Sequence, residues 1–191
     1  MSGTAGTTGA TGATGRTGAG RARRLVVLRH AKSALLDGVA DRDRPLAARG
    51  RRDAPAAGRV IAETTGLPGL VLCSTTVRTR ETWELAAAQW DTSVPVRHEP
   101  RLYAADVPAL LAVLHEVPTD VGTLLLIGHN PGLADLVVTL AGDGVDDTLD
   151  RVRTKFPTSA IAVLSWRGAG WPDLLPGTAL LTAMTVPRGA A

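Results

Sequence analysis

Two histidines and two arginines in this chain stand where they could do chemistry together. Leu25-Val26-Val27-Leu28 runs straight into Arg29-His30, so polarity changes within one peptide bond. Arg78 comes shortly after a second apolar run, Leu70-Val71-Leu72-Cys73, and His129 follows a third, at 123–127, through Gly128. A neutral imidazole can attack phosphorus, and a guanidinium holds phosphate oxygens in a bidentate fork. Together they point to phosphoryl transfer, which needs positioning and charge stabilisation more than elaborate covalent work.

The elements that must position these groups can be read from periodicity. Each apolar run is short and bounded by polar residues, the pattern of a buried strand. Segments 46–65, 79–89, 107–115 and 133–140 carry helical signals: a rough 3.6 period in the first, stopped by Gly66-Leu67-Pro68, and an Asp106 N-cap before the third. A short edge strand is expected at 94–96, and late strands at 160–165 and 178–184. Strands alternating with helices indicate an α/β domain with a largely parallel sheet. Ligands bind beyond the carboxyl ends of such strands. Arg29-His30, the 74–78 stretch and His129-Asn130 would therefore meet on one edge.

Size and composition narrow the possibilities. The 191 residues suit one domain, and 45% hydrophobic content is ordinary for a globular protein. With six aromatic residues in all, Leu, Val, Ile and Ala must build the core. Residues 1–21 are mostly Gly, Thr and Ala, cannot bury enough surface to offset ordering entropy, and are expected to be a disordered tail before a domain at 22–191. Arg16, Arg21, Arg23 and Arg24 would put much of the +3 net charge on that tail, leaving a mildly basic surface suited to anionic ligands. Without a long Lys/Arg block or stacking aromatics, nucleic acid is not an expected partner. No apolar stretch reaches membrane-spanning length, and the single cysteine, Cys73, fits a reducing, cytoplasmic compartment. A cysteine-phosphatase reading, which needs Cys, five intervening residues and then Arg, fails on spacing, because the residue that follows the five positions after Cys73 is Thr79.

At these residues the chain resembles the histidine phosphatase superfamily, and within it the small SixA-like phosphohistidine phosphatases. Leu28-Arg29-His30-Ala31 is similar to its Arg-His-Gly signature, Ser74 to Thr82 to its second Arg motif, and Gly128-His129-Asn130-Pro131 to its second His motif. Asp43-Arg44-Pro45-Leu46, Gly50 and Lys155 to Ala160 have counterparts too. The resemblance spans about residues 24–188. It implies a three-layer α/β/α sandwich with a mainly parallel sheet, phosphoglycerate mutase-like. It departs at Ala31, where Gly is usual; a methyl is tolerable only if the backbone has no positive φ.

Carried over residue by residue, the resemblance implies His30 as nucleophile, Arg29 and Arg78 as phosphate clamp, and His129 as a second, cationic imidazole. Ser74 and Asn130 are further substrate-side candidates, Asn130 also for loop geometry. Two guanidiniums and an imidazolium can neutralise the developing charge, so no metal or cofactor is required. An acceptor on the other ring nitrogen of His30 should fix its tautomer. For a general acid, Glu99 and Asp106 are the candidates. Lys32, His98 and His115 read as solvated residues. The expected activity is phosphate removal from protein phosphohistidine. A small-molecule phosphomonoesterase and a non-catalytic phosphate-binding module remain as alternatives, and neither oligomeric state nor a partner of the tail is legible.

Overall fold

A computed structural model describes Met1 and residues 20–190. Seven strands form its sheet: β1 (Arg21–Arg29), β2 (Leu70–Cys73), β3 (Val96–His98), β4 (Thr123–Gly128), β5 (Ala141–Gly144), β6 (Ile161–Gly168) and β7 (Ala179–Thr185). Five helices connect them: α1 (Ala48–Thr65), α2 (Val77–Ala87), α3 (Val107–His115), α4 (Gly132–Leu140) and α5 (Thr148–Thr154). The strand order is β3-β2-β4-β1-β6-β7-β5. β3, β2, β4 and β1 run parallel, β6 is antiparallel to both β1 and β7, and β5 rejoins β7 in parallel.

Side chains alternate faces along a strand, so β1 builds two cores at once. Leu25 and Val27 pack with α3, α4 and α5, through Val113, Leu136 and Val152. Val26 and Leu28 pack with α1 and α2, through Ala57, Ile61 and Trp83. All four β1 side chains are fully buried, which is why this run lacks polar alternation. The result is the expected α/β/α sandwich. α1 stops at Gly66, whose φ of 70° ends the helix where a side chain would be strained.

The register brings the functional strand ends together. Arg29 pairs with Gly128 across β1 and β4, and Cys73 pairs with Ile127 across β2 and β4. The residues just beyond these ends therefore share one edge of the sheet.

Several expectations need correction. β1 begins at Arg21, inside the stretch read as tail; the rest of that expectation falls on residues outside the described ones. Arg23 is buried rather than a tail cation, because its guanidinium donates to the carbonyls of Thr119, Val121 and Ala169 at 2.8, 2.9 and 2.5 Å. Carbonyl oxygens satisfy its donors where no carboxylate is present. The edge strand β3 lies two residues beyond 94–96. β5 and α5 were not anticipated: Ala-Gly-Asp-Gly has no strand propensity, and the seven-residue α5 is too short to show a period. His115 is half-buried, with Nε2 3.0 Å from the Leu174 carbonyl, rather than freely solvated.

Candidate active site

His30 sits one residue past β1, anchored by its backbone N–H on the Gly128 carbonyl at 3.1 Å. Its Nδ1 lies 2.8 Å from the carbonyl oxygen of Ala31. A carbonyl only accepts, so Nδ1 carries the proton and Nε2 keeps its lone pair. Burial pushes the His30 pKa down to about 3, and nearby His129, Arg78 and Arg29 add to the shift against the opposing Ala31 bond. The ring is therefore neutral at physiological pH. Ala31 has a negative φ, so its methyl carries no backbone strain, and its N–H donates to Thr82 Oγ1 at 3.0 Å. The departure from glycine is harmless here.

The second Arg motif enters through α2. Thr76 caps this helix, its hydroxyl accepting from the Thr79 N–H, and sets the first turn that carries Arg78. Arg78 is only 6% exposed, so it is not a solvated helix-start residue. Its NH2 group reaches 3.4 Å from His129 Nδ1, which must accept from a guanidinium that can only donate. His129 Nε2 then donates to Ser74 Oγ at 2.8 Å. The His30 and His129 rings are 5.2 Å apart between centroids.

That arrangement corrects one expectation. His129 is neutral, not cationic: burial and then Arg78 lower its pKa to about 4, with Asp41 opposing and Arg29 adding. Two guanidiniums outweigh one carboxylate.

A loop from the far end of the chain closes the third side. Arg29 NH1 and Asn130 Nδ2 both donate to the Phe156 carbonyl, at 2.8 and 2.9 Å. The Ser159 N–H in turn lies 3.2 Å from the carbonyls of Arg29 and His30. Asn130 thus commits one of its two amide N–H donors to loop geometry, and its Oδ1 is buried without a partner among the described residues. Arg29 Nε and Ser159 Oγ are buried without a partner among the described residues, and both can donate. Ser159, at a φ of 64°, was missed as an individual residue; its motif alone was noted.

Asp41 and Tyr103 were also missed. Arg78 donates to Asp41 through both its carbonyl and, at 2.9 Å, its carboxylate. Tyr103 donates to the same carboxylate oxygen at 2.9 Å and stands edge-on to His129, centroids 5.6 Å apart. Burial opposes ionisation of Asp41, but the bonds from Tyr103 and Arg78 hold its carboxyl below the usual range. Asp41 lies 37 residues from Arg78, and no local pattern connects the two. Arg44 fixes that loop by reaching Ala34 O, Ser33 Oγ and Asp41 Oδ1 at 2.9, 2.8 and 2.9 Å.

Neither general-acid candidate is supported. Glu99 is held ionised, first by hydrogen bonds from Arg101 at 2.8 and 2.9 Å, with Arg97 assisting. Asp106 caps α3 through the Ala109 N–H at 3.0 Å, the structural role its sequence position suggested. Burial pushes the Cys73 thiol up to about 12, leaving it inert. Lys32 is exposed. No cluster of three or more metal-ligating side chains occurs among the described residues.

A buried and a half-buried imidazole meet two guanidiniums on one strand-end edge, an arrangement suited to phosphoryl chemistry. The sequence model of the histidine phosphatase superfamily (branch 1) matches residues 25–110. The chain belongs to this superfamily, and it is a histidine-type phosphatase with a phosphoglycerate mutase-like fold. An uncharacterized protein of Mycobacterium tuberculosis is 42% identical over 163 residues, covering 84% of this chain and all of the relative. A Nakamurella multipartitia structure that bears the name of the phosphohistidine phosphatase SixA is 33% identical, with a TM-score of 0.78 over 88% of this chain and 98% of its own. Another of that name, from Agrobacterium tumefaciens, is 28% identical, with a TM-score of 0.72 over 86% and 98%.

Proposed function

We propose that this protein removes phosphate from protein phosphohistidine through a phospho-His30 intermediate, in a cytoplasmic setting and without a metal. One observation carries the reading: the Nδ1 proton of His30 is tied to Ala31 O while Nε2 stands free beside Arg29, Arg78 and His129. Nε2 attacks phosphorus in line as the bond from phosphorus to the substrate's imidazole nitrogen breaks. Arg29 and Arg78 hold the equatorial oxygens, and Ser74 and His129 add donors as charge develops. The leaving imidazole departs neutral when its ring is protonated beforehand, so this substrate does not need the acid that Glu99 and Asp106 fail to supply. Water then attacks the phosphorus of phospho-His30, releases inorganic phosphate and restores the neutral ring.

The substrate reading is supported by the edge of the site. Segments between the motifs are short, and Leu35 and Leu36, on the loop between His30 and Asp41, are 79% and 49% exposed. Exposed apolar residues beside a reactive centre fit a folded protein partner better than a small metabolite. The name SixA on relatives at 28 and 33% identity supports the same substrate class.

Phosphoenzyme trapping tests the proposal. With a labelled phosphohistidine or phosphoramidate donor and EDTA, alkaline quenching should yield acid-labile label on His30, absent in His30→Ala. Turnover lost with EDTA would overturn the metal-free mechanism. Turnover of small phosphomonoesters but not phosphohistidine peptides would overturn the substrate class.

A further inference from the structure

A cavity of about 510 Å³ opens beside His129, between the 104–108 segment and the turn at 129–135. We propose that it receives the part of the substrate next to the phosphorylated side chain, and that it selects a Lys or Arg neighbour in a polypeptide. The proposal rests on the phosphohistidine reading above and adds a sequence preference to it.

Position comes first. His129 and Asn130 line the cavity, and the His129 ring is 5.2 Å from that of His30. A phosphoryl group held between these rings leaves this space for the chain that carries it. The volume lies within the range of sites that enclose a substrate group.

The lining then sets the chemistry. Ala104, Val107, Pro108 and Pro131 supply apolar wall, and Asp106 and Asp135 supply two carboxylates. Among the described residues, no Lys or Arg lines the cavity. Asp106 spends Oδ1 on the Ala109 N–H, while the exposed Asp135 has no side-chain hydrogen bond among the described residues. The N-termini of α3 and α4 face the same space, each contributing roughly half a positive charge. Two full carboxylates outweigh them, leaving a net charge of about −1 by that bookkeeping. Asp41, bonded to the Tyr103 hydroxyl near His129, is already paired with Arg78 and Arg44 and is left out of that count.

An anionic leaving group, such as a sugar phosphate or an acid with its own carboxylate, would meet like charges and no cation here. A Lys or Arg side chain would lay its aliphatic stem on the Ala, Val and Pro surface and bring its head to Asp135.

The test uses the full chain and two phosphohistidine peptides of equal length, one with Lys flanking the phosphohistidine and one with Glu. The ratio of their kcat/KM values is read within each variant, so any general loss of activity cancels. Wild type should favour the Lys peptide at least fivefold, Asp135→Asn should reduce that ratio, and Asp135→Lys should bring it to one or below. A wild-type ratio near one, or a ratio unmoved by Asp135→Lys, overturns the subsite. Phosphoramidate separates the two levels: its turnover with phospho-His30 formation, but no charge preference, sinks the subsite alone. Absence of both sinks the phosphohistidine reading, and the subsite with it.

Discussion

His30 donates its Nδ1 proton to the carbonyl oxygen of Ala31, the next residue in the chain, at 2.8 Å. A backbone acceptor this close fixes the tautomer without a second side chain, so the site needs no carboxylate behind its nucleophile. Because burial holds the pKa at about 3, the ring stays neutral through the physiological range. Ring-proton shifts of His30 measured by NMR should be flat from pH 8 to pH 5. A midpoint above pH 5.5 would mean that the nucleophile is partly protonated where it must react.

His129 gives a second readout, because its low pKa comes from burial and from cations that a phosphate would offset. A dianion beside it favours the imidazolium, and opposite charges at such distances move a pKa by about 1–3 units. Saturation with inorganic phosphate should raise the His129 midpoint from about 4 into the range of 5–7. His129→Asn should remove that titration and weaken phosphate binding. A midpoint unmoved by phosphate would remove His129 from the list of charge-stabilising groups.

Strand ends were legible in the sequence because β1, β2 and β4 are buried on both faces and read as unbroken apolar runs. Arg29, His30, Arg78 and His129 follow from them, since a parallel sheet aligns those ends. Asp41 and Tyr103 were invisible for the opposite reason: they reach the site from irregular segments 62 residues apart, joined by one hydrogen bond. The charge of His129 was misjudged because it depends on how deeply two arginines and an imidazole are buried together. Arg23 was misread because only the folded chain brings three carbonyls around its guanidinium.

Asp41 places a carboxylate on the guanidinium assigned to phosphate, 2.9 Å from Arg78 NH2. An anion already on Arg78 repels an incoming one, by about 1 kcal/mol for unit charges 4 Å apart in a water-like medium. Asp41→Asn keeps a carbonyl oxygen for Arg78 and Tyr103 while removing the charge. The inhibition constant for inorganic phosphate should fall roughly fivefold in this variant, the equivalent of about 1 kcal/mol. Weaker phosphate inhibition would instead make Asp41 chiefly a brace for Arg78.

The two active-site histidines also set the acid limit of the fold. Their folded pKa values, about 3 and about 4, lie below the unfolded value of about 6.5. The unfolded chain therefore binds more protons between those values. Stability from this source is complete above pH 6.5 and is lost as pH falls toward 4 and then 3. The slope is at most about 1.4 kcal/mol per pH unit for each histidine. Urea midpoints of wild type should drop steeply from pH 6.5 to 4.5, and His30→Asn with His129→Asn should flatten that dependence. An equal slope in the double variant would assign acid sensitivity to other groups.

Gly50, in the first turn of α1, couples the fold to the nucleophile. A Cβ at this position would overlap the Lys32 carbonyl oxygen, which itself accepts from the Ala47 N–H at 2.8 Å. Neither partner can yield cheaply, since both are backbone within a packed crossing. Gly50→Ala must push α1 away from residues 31–33, and overpacking of this kind costs about 1–3 kcal/mol. Displacing Lys32 also shifts Ala31, whose carbonyl holds the His30 tautomer. Lower stability with reduced kcat, and a His30 ring that begins to titrate above pH 5, is the expected outcome. Lower stability with kcat and titration unchanged would show that the nucleophile's frame rests on β1 and Thr82 alone.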